Sequence, residues 1–189
     1  MEEDRTINRS VEFLREKTRS IIDYPKKGII FRDLTTIFQD GEALSIALDL
    51  LGQRVPGSPG GTRAFDKIVG IEARGFVLAG ALAARLGGGV VLVRKPGKLP
   101  YRIRRMDYTL EYGEDALEIH DDAVLPNEKI LVVDDLLATG GTARAACQLV
   151  EELGGEVMQV LFLVELPELE GRKKLAGYRV DSVISFTGK

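Results

Sequence analysis

Two adjacent carboxylates, Asp134 and Asp135, stand just ahead of a small, hydroxyl-rich turn, Ala138-Thr139-Gly140-Gly141-Thr142. Glycines lack a Cβ, so Gly140 and Gly141 are free to take positive φ and to let the backbone approach a ligand closely. If a helix follows, the amides of Thr139 to Thr142 point out of its N-terminus and favour an anion. Thr139 and Thr142 add hydroxyl donors suited to a phosphate. The aspartates do not suit phosphate directly, because like charges repel. They suit the hydroxyls of a sugar diol, or a Mg²⁺ bridging that diol to a diphosphate. One short stretch therefore has the groups to hold a sugar with phosphate on one side and a metal on the other. It contains neither G-x-x-x-x-G-K-[ST] nor G-x-G-x-x-G, so it is not a P-loop or a dinucleotide fingerprint.

These residues need a rigid strand before them and a helix after them. Ile130 to Val133 reads as a short strand buried on both faces, and the apolar period from Ala143 to Leu153 reads as a helix. In open α/β sheets, ligands bind at such carboxyl ends of strands. The same logic recurs earlier. Asp66 to Ile71 reads as a strand, Glu72-Ala73-Arg74-Gly75 as a turn, and Phe76 to Leu86 as a helix. Arg74 would then be a diphosphate ligand at a strand end, or simply an ion-pair partner of Glu72. Gly87-Gly88-Gly89 falls between a helix and the strand Val90 to Val93, and reads as a helix stop. Further strands are expected over 157–164 and 180–186, and a helix over 42–51. Residues 52–63 read as a surface connection.

Other stretches leave their chemistry open. Residues 2–22 carry Ile7, Val11, Leu14 and Ile21 on one helical stripe. After Pro25 and Gly28, Ile29-Ile30-Phe31 forms an extended apolar strip, suited to core packing or to stacking against a flat base. Residues 94–105 hold six cations in twelve positions. They suit a solvated loop, a nucleic-acid patch with Tyr101 interleaved, or a lid whose cations fold over a diphosphate. Tyr108, Leu110 and Tyr112 alternate with Thr109 and Glu111, suggesting a strand returning from that loop. By its surroundings alone, Glu111 reads as a solvent-facing strand residue. His120 has no Ser or Cys partner in sequence and receives no catalytic role.

Composition narrows the classes. A chain of 189 residues is one domain by size, and a net charge of −3 carries no global basic field for nucleic acid. The single cysteine, Cys147, excludes an intrachain disulfide and a Cys-based zinc site. The acidic M-E-E-D-R start has no apolar core of a signal peptide, and no run approaches the length of a membrane span. A cytoplasmic location is expected.

Four motifs in order carry a resemblance. V-V-D-D-L-L-A-T-G-G-T closely resembles the 5-phosphoribosyl diphosphate (PRPP) motif of type I phosphoribosyltransferases, most of all those specific for adenine. P-x-x-G-[IV]-x-F-R-D is similar to their base-binding hood, E-A-R-G-F to their diphosphate loop, and R-K-P-G-K-L-P with L-E-Y-G to their flexible loop. The resemblance implies a type I phosphoribosyltransferase fold, a parallel sheet of about five strands flanked by helices. Residues 1–40 would form the N-terminal helix and hood, and residues 41–189 the core, with a lid at about 95–110. It implies purine salvage, adenine and PRPP giving AMP and diphosphate with Mg²⁺. Asp134, Asp135 and Ala138 to Thr142 would hold ribose and 5′-phosphate. Arg74, Lys95 and Lys98 would hold diphosphate. Ile30, Phe31 and Arg32 would meet adenine, and Glu111, with Arg74, would be catalytic. The metal would have no direct protein ligand, being held through PRPP near the two aspartates. A homodimer is expected, and no membrane or nucleic-acid partner. Two other readings remain: transfer to xanthine, hypoxanthine or orotate, and a PRPP-sensing regulator binding nucleic acid through Arg102, Arg104 and Arg105.

Overall fold

The computed structural model describes residues 2–57, 64–109 and 114–187. The elements in chain order are α1 (Glu2–Lys17), β1 (Arg19–Ile22), β2 (Ile30–Asp33), α2 (Thr35–Phe38), α3 (Gly41–Arg54), β3 (Lys67–Ile71), α4 (Arg74–Leu86) and β4 (Gly89–Val93). There follow β5 (Ile103–Thr109), β6 (Glu114–His120), β7 (Lys129–Leu137), α5 (Gly141–Glu152), β8 (Glu156–Glu165), α6 (Gly171–Lys174) and β9 (Val180–Ser185). The central sheet has five strands in the order β4-β3-β7-β8-β9, all parallel. Among the described residues, no helix is long and apolar enough to cross a membrane.

The sheet is covered on both sides, which is why its strands are apolar without alternation. Along β7 the side chains still alternate in direction. Leu131 and Val133 join one core with Leu51 of α3 and Leu78 and Leu82 of α4, while Ile130 and Val132 join another with Ala146, Leu149 and Val150 of α5. The chain thus leaves β3 through α4 on one face and leaves β7 through α5 on the other. The strand order reverses between β3 and β7, and the crevice lies at their carboxyl ends.

Several boundaries differ from the sequence reading. The first helix stops at Lys17 and does not reach residue 22. Thr18 turns its hydroxyl back onto the Leu14 carbonyl at 2.9 Å, and Ile21 then pairs with Phe31 in the β1–β2 hairpin. Helix α1 shares the core of α3 and α4 through Leu14, while the β1–β2 hairpin forms a small sheet of its own. Helix α3 begins one residue earlier than expected and runs to Arg54, because Asp40 caps it by accepting from the amides of Glu42 and Ala43. Strand β7 does not end at Val133. It continues through Leu137 beside β8, with Asp134 opposite Phe162, so both aspartates sit on the strand rather than in the turn.

Residues 103–109 and 114–120 form an antiparallel hairpin whose Leu117 and Ile119 are fully buried in the core beneath α5. The strand read over 108–112 is therefore the outgoing arm's end, and residues 110–113 lie outside the described residues. Two arginines at this arm stand beside acids. Arg105 reaches Asp107 at 2.8 Å, and Arg102 stands 3.9 Å from Asp121.

Close packing of the first strand-turn-helix rests on two glycines. A Cβ on Gly70 would lie 2.8 Å from Cβ of Ala79 and 2.9 Å from the Gly75 carbonyl. Gly70→Ala should force β3 and α4 apart and cost about 1–3 kcal/mol, lowering the melting temperature by roughly 2–4 °C per kcal/mol. Thermal unfolding of the variant checks this, and an unchanged midpoint would mean the packing is looser than drawn.

Candidate active site

A cavity of about 240 Å³ opens at the β3–β7 crevice. Glu72, Ala73 and Arg74 line it from the end of β3, Lys95 from the loop after β4, and residues 134–143 from β7 into α5. The Glu72–Ala73 peptide is cis.

The turn is shaped by its neighbours. Gly140 has φ of 78°, the left-handed conformation, whereas Gly141 is the first residue of α5 and does not. Of the two glycines free to take positive φ, only Gly140 does so. Gly140 has a second reason to be glycine: a Cβ there would stand 2.4 Å from the carbonyl of Gly171. A Cβ on Gly171 would in turn stand 2.3 Å from the Ala138 carbonyl. The turn thus lies directly on α6, which Arg172 pins by reaching both carboxylate oxygens of Glu165 at 2.7 Å. No side chain caps α5, and its first intrahelical bond runs from the Arg144 amide to the Gly140 carbonyl. The preceding amides have no carbonyl partner within the helix, an arrangement suited to an anion.

The carboxylates are the strongest electrostatic feature. Asp135 is 3% exposed, and Asp134 is half-buried with its Oδ1 accepting from the Asp135 amide at 2.9 Å. Burial first, and then the neighbouring Asp135 charge, push the Asp134 carboxyl well above the usual range. Burial also pushes Asp135 up, partly offset by Arg74. Nε of Arg74 lies 2.8 Å from Oδ2 of Asp135. That contact is an ion pair without aligned hydrogen-bond geometry, and Oδ2 is buried with no hydrogen-bond partner among the described residues. Gly75 permits the approach, since its Cβ would meet Oδ1 of Asp134 at 2.9 Å.

Glu72 does not pair with Arg74. It pairs with Lys98, accepts from the Lys95 amide at 2.9 Å and stands 3.4 Å from Arg94. Burial pushes its carboxyl up, but those hydrogen bonds and charges outweigh it and hold Glu72 below the usual range. Lys95 lines the cavity and also pairs with Asp115. Lys98 lies on Glu72 and is not among the residues lining the cavity.

At the hood, Phe31 meets Tyr24 edge to face at 5.3 Å, and the Arg74 guanidinium lies 5.9 Å from the Phe31 ring centre. Ile30 and Arg32 point to the other face of β2. Arg32 stacks 4.4 Å over Phe186 and donates to Ser20 at 2.5 Å, so its side chain serves the hood's own packing. Glu111 lies outside the described residues. Sequence reasoning missed Asp115, Tyr108 as a polar contact, and the Gly171 support, because each depends on register or tertiary approach rather than a local pattern.

Comparison with known proteins gives the family. A family model described as a phosphoribosyl transferase domain matches residues 60–188. The chain is 50% identical over 181 residues to adenine phosphoribosyltransferase of Rubrobacter xylanophilus, covering 94% of each. The chain belongs to the adenine phosphoribosyltransferase family. Crystal structures of two other members superpose on it. That of Thermoanaerobacter pseudethanolicus is 49% identical with a TM-score of 0.88, covering 93% of this chain and 99% of the other. That of Saccharomyces cerevisiae, complexed with an imino-altritol bisphosphate and adenine, is 34% identical with a TM-score of 0.85, covering 93% and 99%.

A divalent metal in a member of this family needs oxygen ligands. Among the described residues, no group of three or more His, Cys, Asp or Glu is placed to hold one. The carboxylates of Asp134 and Asp135 on the crevice lining suit a Mg²⁺ held mainly by substrate oxygens and water rather than by a protein cage.

Carboxyls held above their ordinary range favour folding in their protonated form. Their contribution to stability is present below the unfolded value and lost as pH rises through the raised ones. Asp134→Asn should therefore stabilise the protein by about 1 kcal/mol near pH 7.5, with a smaller gain near pH 5. Melting curves at both pH values check this. A lower melting temperature at neutral pH would show that the Asp134 charge supports the fold.

Proposed function

We propose that this chain performs purine salvage, transferring 5-phosphoribosyl from PRPP to adenine and releasing AMP and diphosphate. The observation that carries the reading is the sharing of one crevice by the Asp134–Asp135 pair and the uncapped N-terminus of α5. The described adenine complex of the yeast relative supports the choice of base.

Each part of the substrate has a matching group. The 5′-phosphate accepts from the turn amides at Ala138 to Thr142 and from the threonine hydroxyls. Asp134 and Asp135 accept from the ribose hydroxyls. Adenine lies against Phe31, with the Ile30 backbone reading its edge. Arg74 and Lys95, with Lys98 as a further cation, stabilise the departing diphosphate. Positive charge develops at C1′ as the bond to diphosphate lengthens, and no protein nucleophile is required. Mg²⁺ bound near Asp134 and Asp135 supplies charge neutralisation to the diphosphate. Glu111 exchanges a proton with the purine ring. The β1–β2 hairpin as hood and the loop after β4 as lid exclude water from the reacting centre.

A second copy of the chain would complete the protein as a homodimer. Val77 of α4 and Val90 and Leu92 of the edge strand β4 are 45%, 42% and 41% exposed. An apolar sheet edge of this kind is a liability that a partner covers. The reducing cytoplasm suits the buried Cys147, whose thiol burial pushes up to about 12. The regulator reading is weakened by the acids paired with Arg102 and Arg105.

Diphosphate release from PRPP with Mg²⁺ should occur with adenine and not with hypoxanthine, guanine, xanthine or orotate. Release with another base would keep the PRPP site and discard the hood assignment. Glu111→Ala should lower kcat by about 100-fold and leave PRPP binding nearly unchanged, and an equal loss of both would remove its acid/base role. For assembly, Leu92→Glu should shift the protein from dimer to monomer in light scattering. A wild type that is already monomeric would end that proposal.

A further inference from the structure

The hydroxyl of Tyr108 stands where three elements meet. It lies 3.0 Å from Nζ of Lys95, 3.1 Å from Oδ2 of Asp115 and 3.2 Å from Oγ1 of Thr142. Tyr108 and Asp115 are directly opposite on the β5–β6 hairpin, and Lys95 also pairs with Asp115 itself. The Lys95 backbone is fixed separately, its amide donating to Oε2 of Glu72 at 2.9 Å.

The donor inventory settles the direction of each bond. A phenol has one proton and two lone pairs, an ammonium only donates, and a carboxylate only accepts. Burial raises the Asp115 carboxyl, but Lys95, the Ala116 amide and Tyr108 outweigh it and keep Asp115 charged. Lys95 therefore donates to Tyr108, and Tyr108 donates to Asp115. A lone pair is all that Tyr108 has left for Thr142, so Thr142 is the donor. A phosphate dianion also only accepts. Thr142 has a single proton and cannot give it to Tyr108 and to a 5′-phosphate together. Lys95 has three, and uses one on Tyr108 and one on Asp115, leaving the third for the cavity it lines.

We propose that Tyr108 and Asp115 are positioning residues that hold Lys95 toward the diphosphate while competing with the 5′-phosphate for the Thr142 hydroxyl. This rests on the cavity being the PRPP site. It gives the two ends of the substrate opposite relations to one phenol. At the diphosphate end Tyr108 helps, because it narrows the orientations of a flexible ammonium. At the 5′-phosphate end it opposes, because its lone pair attracts the proton that the phosphate needs. A tyrosine that only packs the hairpin against α5 would affect both ends alike.

Calorimetric titration of the purified chain with AMP and, separately, with diphosphate in Mg²⁺ tests this. Tyr108→Phe should raise the Kd for diphosphate about tenfold and leave that for AMP unchanged or up to about threefold lower. Asp115→Asn keeps the phenol and removes the charge, so it should weaken diphosphate while leaving AMP unchanged. It serves as the test if Tyr108→Phe fails to fold. Parallel weakening of both ligands, or undiminished diphosphate binding in both variants, would overturn the proposal. A wild type that binds neither ligand would instead remove the PRPP-site reading, and the proposal with it.

Discussion

Two carboxylates side by side in the crevice, one buried and one half-buried, are the constraint that the rest of the molecule answers to. Asp134 and Asp135 follow one another at the carboxyl end of the central strand β7, and one arginine faces them. Buried like charges disfavour ionisation, and a single ion pair does not compensate two of them. A chain selected for stability alone would place apolar side chains there. The arrangement makes sense as a site in which hydroxyls or a cation complete the coordination of oxygens such as Oδ2 of Asp135. The stability forgone at this point is recovered in the two cores above and below the sheet, where Ile130 to Val133 and Val160 to Val164 are all but fully buried.

The backbone must come unusually close around that pair, and glycine appears where it does. Gly70 lets α4 approach β3, Gly75 lets the start of α4 approach Asp134, and Gly140 and Gly171 lie against each other under the turn. At each place a Cβ would meet atoms nearer than 3.0 Å. Only Gly140 also requires a positive φ. Most of these glycines thus serve proximity and not flexibility. Proximity holds the Arg74 end of α4 and the N-terminus of α5 at one crevice.

What the sequence reveals and what it hides divides along locality. The strand-turn-helix around Asp134 and that around Arg74 were legible because buried strands, turn residues and helical period are all local signals. That the sheet is parallel also follows from alternating strands and helices, whereas its strand order is a tertiary matter. The end of α1 was misread because Ile21 fits the helical stripe, while its pairing with Phe31 is tertiary. The length of β7 was underestimated because aspartate is a poor strand former, and only pairing to β8 holds it extended. The side chain of Arg32 was expected beside the base, yet strand alternation sends it to Phe186. The Tyr108–Asp115 pair needed the hairpin register, which the sequence does not display.

Charge alone explains little of how this crevice would choose its ligand. Every cation assigned to the diphosphate already has a carboxylate partner: Arg74 has Asp135, Lys95 has Asp115, and Lys98 has Glu72. An incoming anion therefore meets cations that are already held in place and partly neutralised. The amides at the start of α5 are different. They have no side-chain cap and no carbonyl partner within the helix, so a phosphate meets no such competitor for these amides. Anchoring is therefore expected at the turn, with the paired cations responding to charge as it develops at the other end of the substrate. That division gives uniform binding to one end and differential stabilisation to the other, and only the latter accelerates the chemical step.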